Sequence, residues 1–414
     1  MKEKRMIAMQ VFDEYERRFA SARAQKNMRR PWEEADRKEI LDATKRMLGY
    51  QEEWVPQVHD MKEVSCQDYG TYTVKQLQYQ TWKDFYASAS LYVPKTDNKL
   101  PLVFLCCGHG EVGRLSQGYM KMAHYLTKLG MAVMVLDNIG QGDREKLGHM
   151  NEVAPFYCGM TLQGMIVMET VSIIRFMQGD ERFDKEKFGA CGNSGGGTLT
   201  LFLSALAKEL SVISSSGYPS EFSYILQKEK KHCACNLLPG AAHGPEMWEI
   251  YSLFAPKPLQ LEQGKNDHLI AYDIAKRNMR KVENTYLQMG KEEQCVCEFS
   301  MTRHSWEAED MNKIGQFLSR HLLGVDANPV DELELKEKID ITNLHVSLPN
   351  HAKTTEEIAQ SISGKCMPEG TTLADVFPPT WNGEKVKAED IVEDLGRGNL
   401  MRIFAQMECA LNRR

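Results

Sequence analysis

A chain of 414 residues has room for one large domain with additions, or for two domains. Hydrophobic residues make up 42% and charged residues 26%, the balance of an ordinary globular protein. A net charge of −6 excludes an electrostatic case for nucleic-acid binding, and no stretch approaches the roughly 20 apolar residues of a membrane span.

Residues from about 5 to 50 carry many charges, with apolar residues at helical spacing (Ile7, Val11, Tyr15, Phe19). The pattern predicts helix, with a second helix starting near Pro31. Met1 to Ala20 lacks the apolar region of a secretory signal, which points to a cytoplasmic protein. From Tyr72 to Tyr92 the alternation predicts two antiparallel strands.

A different rhythm begins at Pro101. Short apolar runs at 101–107, 131–136, 188–191, 212–216, 258–263 and 295–299 alternate with helical stretches near 120–129, 162–177, 195–210, 271–287 and 312–322. Such alternation predicts a mostly parallel sheet covered by helices on both faces. Ligands bind such sheets beyond the carboxyl ends of the strands, where His109, Asp137, Ser194 and Asp267 fall. After about Leu323 the rhythm stops, leaving Pro-bearing loops and helices near Glu356–Ser363 and Leu400–Leu411. The expected division is an N-terminal helical extension (1–70), a catalytic domain (71–323) and a C-terminal extension (324–414), packed on the core or at an interface.

The 11 cysteines are odd in number and irregularly spaced, which argues against a disulfide framework. Two C-x-C pairs, Cys233/Cys235 and Cys295/Cys297, raise a zinc reading, but their spacing is non-standard and core packing is the simpler account. Cys106, Cys107 and Cys191 read as buried strand thiols.

Gly192-Asn193-Ser194-Gly195-Gly196 matches G-x-S-x-G between an apolar strand and a helix. That context presents a serine on a sharp turn, and the flanking glycines avoid collision with neighbouring backbone. Ser194 is therefore the candidate nucleophile of an α/β-hydrolase fold. A serine nucleophile needs a base oriented by a carboxylate, and this fold orders them Ser, acid, His. Asp267, in the turn after the 258–263 strand, is the expected acid, with Glu262 as runner-up. His304, after the last strand, is the expected base, with His268 as rival. Gly195 and His109 are the expected backbone donors to an oxyanion. The His109 side chain either lines the pocket or is a plain loop histidine.

The same region resembles the acetyl xylan esterase-like branch of the α/β-hydrolases, near the dienelactone hydrolases. The resemblance rests on Leu105-Cys106-Cys107-Gly108-His109-Gly110, with Cys107 where the family has histidine. Further matches are Asp137-Asn138-Ile139-Gly140-Gln141-Gly142-Asp143-Arg144 and Cys191 to Thr198. His232-Cys233-Ala234-Cys235-Asn236 with Pro239-Gly240, and Ala255-Pro256-Lys257-Pro258-Leu259, complete the set. It spans roughly residues 50–322. It implies Ser194, Asp267 and His304 as a triad, and it reassigns Cys233 and Cys235 to a family segment rather than a metal site. The implied function is a serine esterase, specifically a carbohydrate acetyl esterase. Its partner is a small ester or acetylated sugar, with no cofactor or metal, and a homo-oligomer is allowed. Two other readings are a peptidase of the prolyl-oligopeptidase kind, for which the upstream region is too short and too helical, and a non-catalytic scaffold built on the same fold.

Overall fold

The short apolar run after Lys99 forms β4 (Leu100–Cys106), every residue of which is buried. In the computed structural model, β4 lies near the middle of a nine-stranded sheet of order β1-β2-β3-β5-β4-β6-β7-β8-β9. The structure describes residues 29–149, 153–227, 234–330 and 338–376, with isolated positions at 17, 20–22, 24, 380–381 and 384–385. The expected helix near Leu400–Leu411 and most of the first helical stretch lie outside the described residues.

The other strands are β1 (His59–Asp68), β2 (Tyr72–Gln80), β3 (Tyr86–Pro94), β5 (Ala132–Leu136), β6 (Phe183–Asn193), β7 (Val212–Ser216), β8 (Leu259–Gly264) and β9 (Cys295–Ser300). β1, β2, β3 and β5 pair antiparallel, and β5, β4, β6, β7, β8 and β9 pair parallel. β1 lies inside the segment read as a helical extension. Its residues are mostly exposed and polar, so this edge strand carries no apolar alternation to betray it.

The described helices include α1 (Glu34–Leu48), α2 (Gln117–Lys128), α3 (Val153–Tyr157), α4 (Leu162–Met177), α5 (Gly195–Leu206), α6 (Phe222–Gln227), α7 (Met247–Ser252), α8 (Tyr272–Gln288), α9 (Ala308–Leu322) and α10 (Thr355–Ser363). α2 and α9 close one face of the sheet through Ala123, Leu126, Ile314 and Leu318. α4, α5, α7 and α8 close the other through Met165, Val171, Phe202 and Tyr251. α4 is apolar nearly all round and is buried on nearly all sides, as such a helix must be. Strand order reverses around β4, between β5 and β6, and the crevice at the carboxyl ends of β4 and β6 is where such sheets bind ligands.

Residues 338–376 run back along this body. Gln78 donates to Ser347 O at 2.8 Å, Lys353 N to Asp84 O at 2.8 Å, and Thr355 Oγ1 to Leu147 O at 2.7 Å. Ile358 and Ala359 of α10 are buried in the core.

His124 of α2 sits 2.6 Å from the Tyr72 hydroxyl, with Tyr69 and Tyr92 edge-on. Burial, then the nearby Lys128 charge, pushes its pKa down to about 4. The folded protein thus disfavours the imidazolium, whereas the unfolded chain takes up a proton below about pH 6.5. The stability His124 supports is complete above that pH and is lost as pH falls toward 4. Melting curves between pH 7.5 and 5 should fall more steeply for the native chain than for His124→Gln; parallel curves would refute this.

Candidate active site

β6 ends at Asn193 and α5 begins at Gly195, so Ser194 alone must turn the chain. It does so at φ 59°, ψ −119°, a conformation non-glycine residues rarely hold. The turn is pinned by Ser194 N donating to Ser216 O of β7 at 3.1 Å and by Thr198 N donating to Ser194 O at 2.9 Å. The glycines around it have steric causes. A Cβ on Gly192 would strike the Gly196 carbonyl, and one on Gly196 would strike the Cys106 carbonyl.

Ser194 Oγ lies 2.7 Å from His304 Nε2, and His304 Nδ1 lies 2.7 Å from Asp267 Oδ2. Three loops after three different strands supply this chain of hydrogen bonds. The Asp267 side chain is 1% exposed and that of His304 is 12% exposed. Asp267 also accepts from Gln263 Nε2 at 2.8 Å and from the N–H groups of Leu269 at 2.7 Å and Ile270 at 3.0 Å. Burial alone would raise its pKa, but the hydrogen bond and charge of His304, with the other donors, hold the carboxyl below the usual range. This fixes an ionised acceptor on Nδ1, which leaves Nε2 facing the serine as a base.

The two rivals are placed elsewhere. Glu262 is buried in β8 and accepts from Ser300 Oγ at 2.7 Å. Burial, then the charge of Asp310, raises its carboxyl well above the ordinary range, so it is suited to a neutral buried role. His268 is exposed, its ring 6.1 Å from that of His304 and edge-on.

The loop after β4 brings Gly108 and His109 against Gly195. A Cβ on Gly195 would meet the His109 ring at 2.8 Å, and a Cβ on Gly108 would meet Asn193 O at 2.7 Å. The Gly195 N–H belongs to the first turn of α5, where helix amides have no internal acceptor. Residues the sequence reading passed over hold this loop. Gly108 N donates to Tyr119 Oη at 2.6 Å, and Asn138 Nδ2 donates to Cys107 O at 2.8 Å. Tyr119 packs edge-on against Trp306, whose Nε1 donates to Ser216 Oγ at 2.7 Å. Trp306, two residues after His304, thereby ties the His304 loop to β7, the neighbour strand of the Ser194 turn. Their only sequence signal is an aromatic residue beside each motif.

Asp137, expected near the site, is structural. Its carboxylate accepts from Arg114 N and Nη1 and from Ser88 Oγ, all at 2.8 Å. Arg144 pairs with Glu169 at 2.7 Å. Gly142 is required because a Cβ there would strike the Asp137 carboxylate. Cys107, where a histidine was expected, is fully buried and not part of the crevice. Cys295 and Cys297 share a face of β9 and pack on the core, and Cys233 lies outside the described residues.

A mostly parallel sheet with helices on both faces and a serine on its strand-to-helix turn define the α/β-hydrolase class. Residues 49–234 match the family described as acetyl xylan esterase (AXE1). The chain is 23% identical over 211 residues to "Putative hydrolase YtaP" of Bacillus subtilis (strain 168), covering 47% of this chain and 70% of that one. Methylesterase BT1017 superposes with a TM-score of 0.61 at 16% identity, over 87% of this chain and 78% of its own. A glucuronoyl esterase from Solibacter usitatus gives 0.57 at 11% identity, over 70% and 93%. The chain is a carboxylic ester hydrolase of the α/β-hydrolase class, acetyl xylan esterase-like over residues 49–234. Among the described residues, no helix is long and apolar enough to cross a membrane.

Proposed function

We propose that the protein removes acetyl groups from carbohydrate esters through a Ser194–His304–Asp267 triad. The observation that carries this reading is the unbroken hydrogen-bond chain, 2.7 Å from serine to imidazole and 2.7 Å from imidazole to carboxylate. Ser194 Oγ attacks the ester carbonyl carbon while His304 Nε2 takes its proton. The Gly195 and His109 N–H groups receive the oxyanion, and Asp267 stabilises the imidazolium. His304 then gives the proton to the leaving sugar oxygen, and the carbon–oxygen bond breaks to leave acetyl-Ser194. A water, deprotonated by His304, releases acetate and restores the serine.

The acetyl specificity rests on the family match over residues 49–234, since the triad itself selects no acyl group. The peptidase reading loses ground because the described residues before β4 supply α1 and β1–β3 of one sheet rather than propeller blades. Acetate release from acetylated xylo-oligosaccharides should exceed methanol release from methyl glucuronate esters, and rates on p-nitrophenyl esters should fall from acetyl to longer acyl chains. Turnover of the methyl esters alone would move the substrate to the acid side of the sugar. No turnover of any ester, with no labelling of Ser194 by a fluorophosphonate, would favour a scaffold.

A further inference from the structure

Beside the proposed oxyanion loop, three side chains converge that the esterase chemistry does not use as ligands. His109 follows β4, His149 follows the 3₁₀ turn Gly142–Leu147, and Cys235 lies between β7 and β8. One ring nitrogen of each histidine and the Cys235 sulfur all lie within 4.8 Å of one another. His109 Nε2 is 3.2 Å from Cys235 Sγ, and the two imidazole rings are 5.2 Å apart, centre to centre. We propose that His109, His149 and Cys235 form a binding site for a thiophilic divalent cation of the zinc type, independent of the esterase reading.

The donor set suits such an ion, because two imidazoles and a thiolate are borderline-to-soft ligands. Bonds of about 2.0–2.1 Å to nitrogen and 2.3 Å to sulfur in a tetrahedron set the ligand atoms roughly 3.3–3.6 Å apart. The His109–Cys235 pair, 3.2 Å apart, is already close to that spacing, and the His149 nitrogen, within 4.8 Å of both, needs a shift of about 1.5 Å at most to reach it.

The surroundings of His149 are those of a ligand. Its Nδ1 lies 2.6 Å from Ile139 O, so that nitrogen carries the proton and Nε2 presents its lone pair. Gln141 Nε2 now stands 3.0 Å from that lone pair, while Gln141 Oε1 is buried with no hydrogen-bond partner. An ion would replace the amide donor on Nε2, and a water in the fourth position would supply the donor that Oε1 lacks. Three ligands leave that fourth position open, as in sites that exchange water for another ligand.

Binding replaces the Cys235 S–H bond with a sulfur–metal bond and releases one proton to solvent, with both imidazoles staying neutral. Affinity should therefore rise about tenfold per pH unit while the unbound thiol is protonated. The ion would staple three loops around Ser194. The ligands are 40 and 86 residues apart in sequence, so no spacing motif could reveal them.

The test is titration of the full chain with Zn²⁺, and with Co²⁺ as a spectroscopic stand-in. One ion per chain should bind, and Co²⁺ should show a thiolate charge-transfer band that is absent in Cys235→Ser. His149→Ala should weaken Zn²⁺ binding by more than about 100-fold, beyond the roughly 10–100-fold that removal of a mere supporting group costs. Circular dichroism establishes that both variants fold. Unchanged affinity in both folded variants, or no thiolate band with the native chain, would overturn the proposal and leave the Cys235–His109 contact as a simple hydrogen bond.

Discussion

Replacing Ser194 with alanine should lower ester turnover by roughly 10⁴- to 10⁶-fold, leaving only the small rate that an oxyanion site supplies without a nucleophile. The expectation follows from geometry. Ser194 Oγ is the atom that meets His304 Nε2 at 2.7 Å, so its removal leaves that imidazole without the hydroxyl it faces. The same position makes a second, opposite forecast for stability. Ser194 holds φ 59° and ψ −119°, and alanine keeps the Cβ that makes this costly. Strain of this kind costs about 1–3 kcal/mol, and glycine relieves it at an entropic cost of about 0.5–1 kcal/mol. Ser194→Gly and Ser194→Ala should therefore be equally inactive, yet the glycine variant should melt at the higher temperature. A glycine variant no more stable than the alanine variant would show that the turn stores no strain. Initial rates on p-nitrophenyl acetate and paired thermal melts read both outcomes.

Replacing Arg114 with methionine should destabilise the protein by about 3–5 kcal/mol, the cost of leaving buried charges without their partner. Arg114 is fully buried. Its guanidinium donates to Asp137 at 2.8 Å, Asp143 at 2.6 Å, Gln76 at 3.2 Å and the Leu344 carbonyl at 2.8 Å. The side chains of Asp137 and Asp143 are 0% and 6% exposed, so their carboxylates would face each other with little water to screen them. The loss should also loosen the segment 338–376, which Arg114 holds through Leu344 and which Asp143 holds through Val346 N at 2.7 Å and His345 Nδ1 at 2.7 Å. Limited proteolysis should then cut that segment faster than in the native chain. Adding Asp137→Asn and Asp143→Asn to Arg114→Met should recover part of the loss, because the uncompensated charges are then gone. A melting temperature within a degree or two of the native value in Arg114→Met would refute the argument.

These two forecasts differ in how far the sequence foretold them. The turn around Ser194 was readable because a strand, a small-residue turn and a helix are consecutive, and each has a local signature. The loop Asp137 to Arg144 was readable as a pattern, but its role was not. Its charges are matched by Arg114 and Glu169, which lie outside the pattern, and by the backbone N–H of Val346. Edge strand β1 was missed because its side chains face solvent on both sides and so follow no period.

The sequence by itself determined the layered α/β architecture and the turn that presents Ser194. Both are local patterns of burial and backbone sterics. Only the tertiary structure decided which acid and which histidine meet the serine, because Glu262 and Asp267, or His268 and His304, differ by direction and depth rather than by type. It also decided that His109, His149 and Cys235 converge, and that Tyr119 and Trp306 hold the loops. Side-chain convergence is a property of three strand ends brought together by the sheet, and contacts between residues tens of positions apart leave no mark on local sequence.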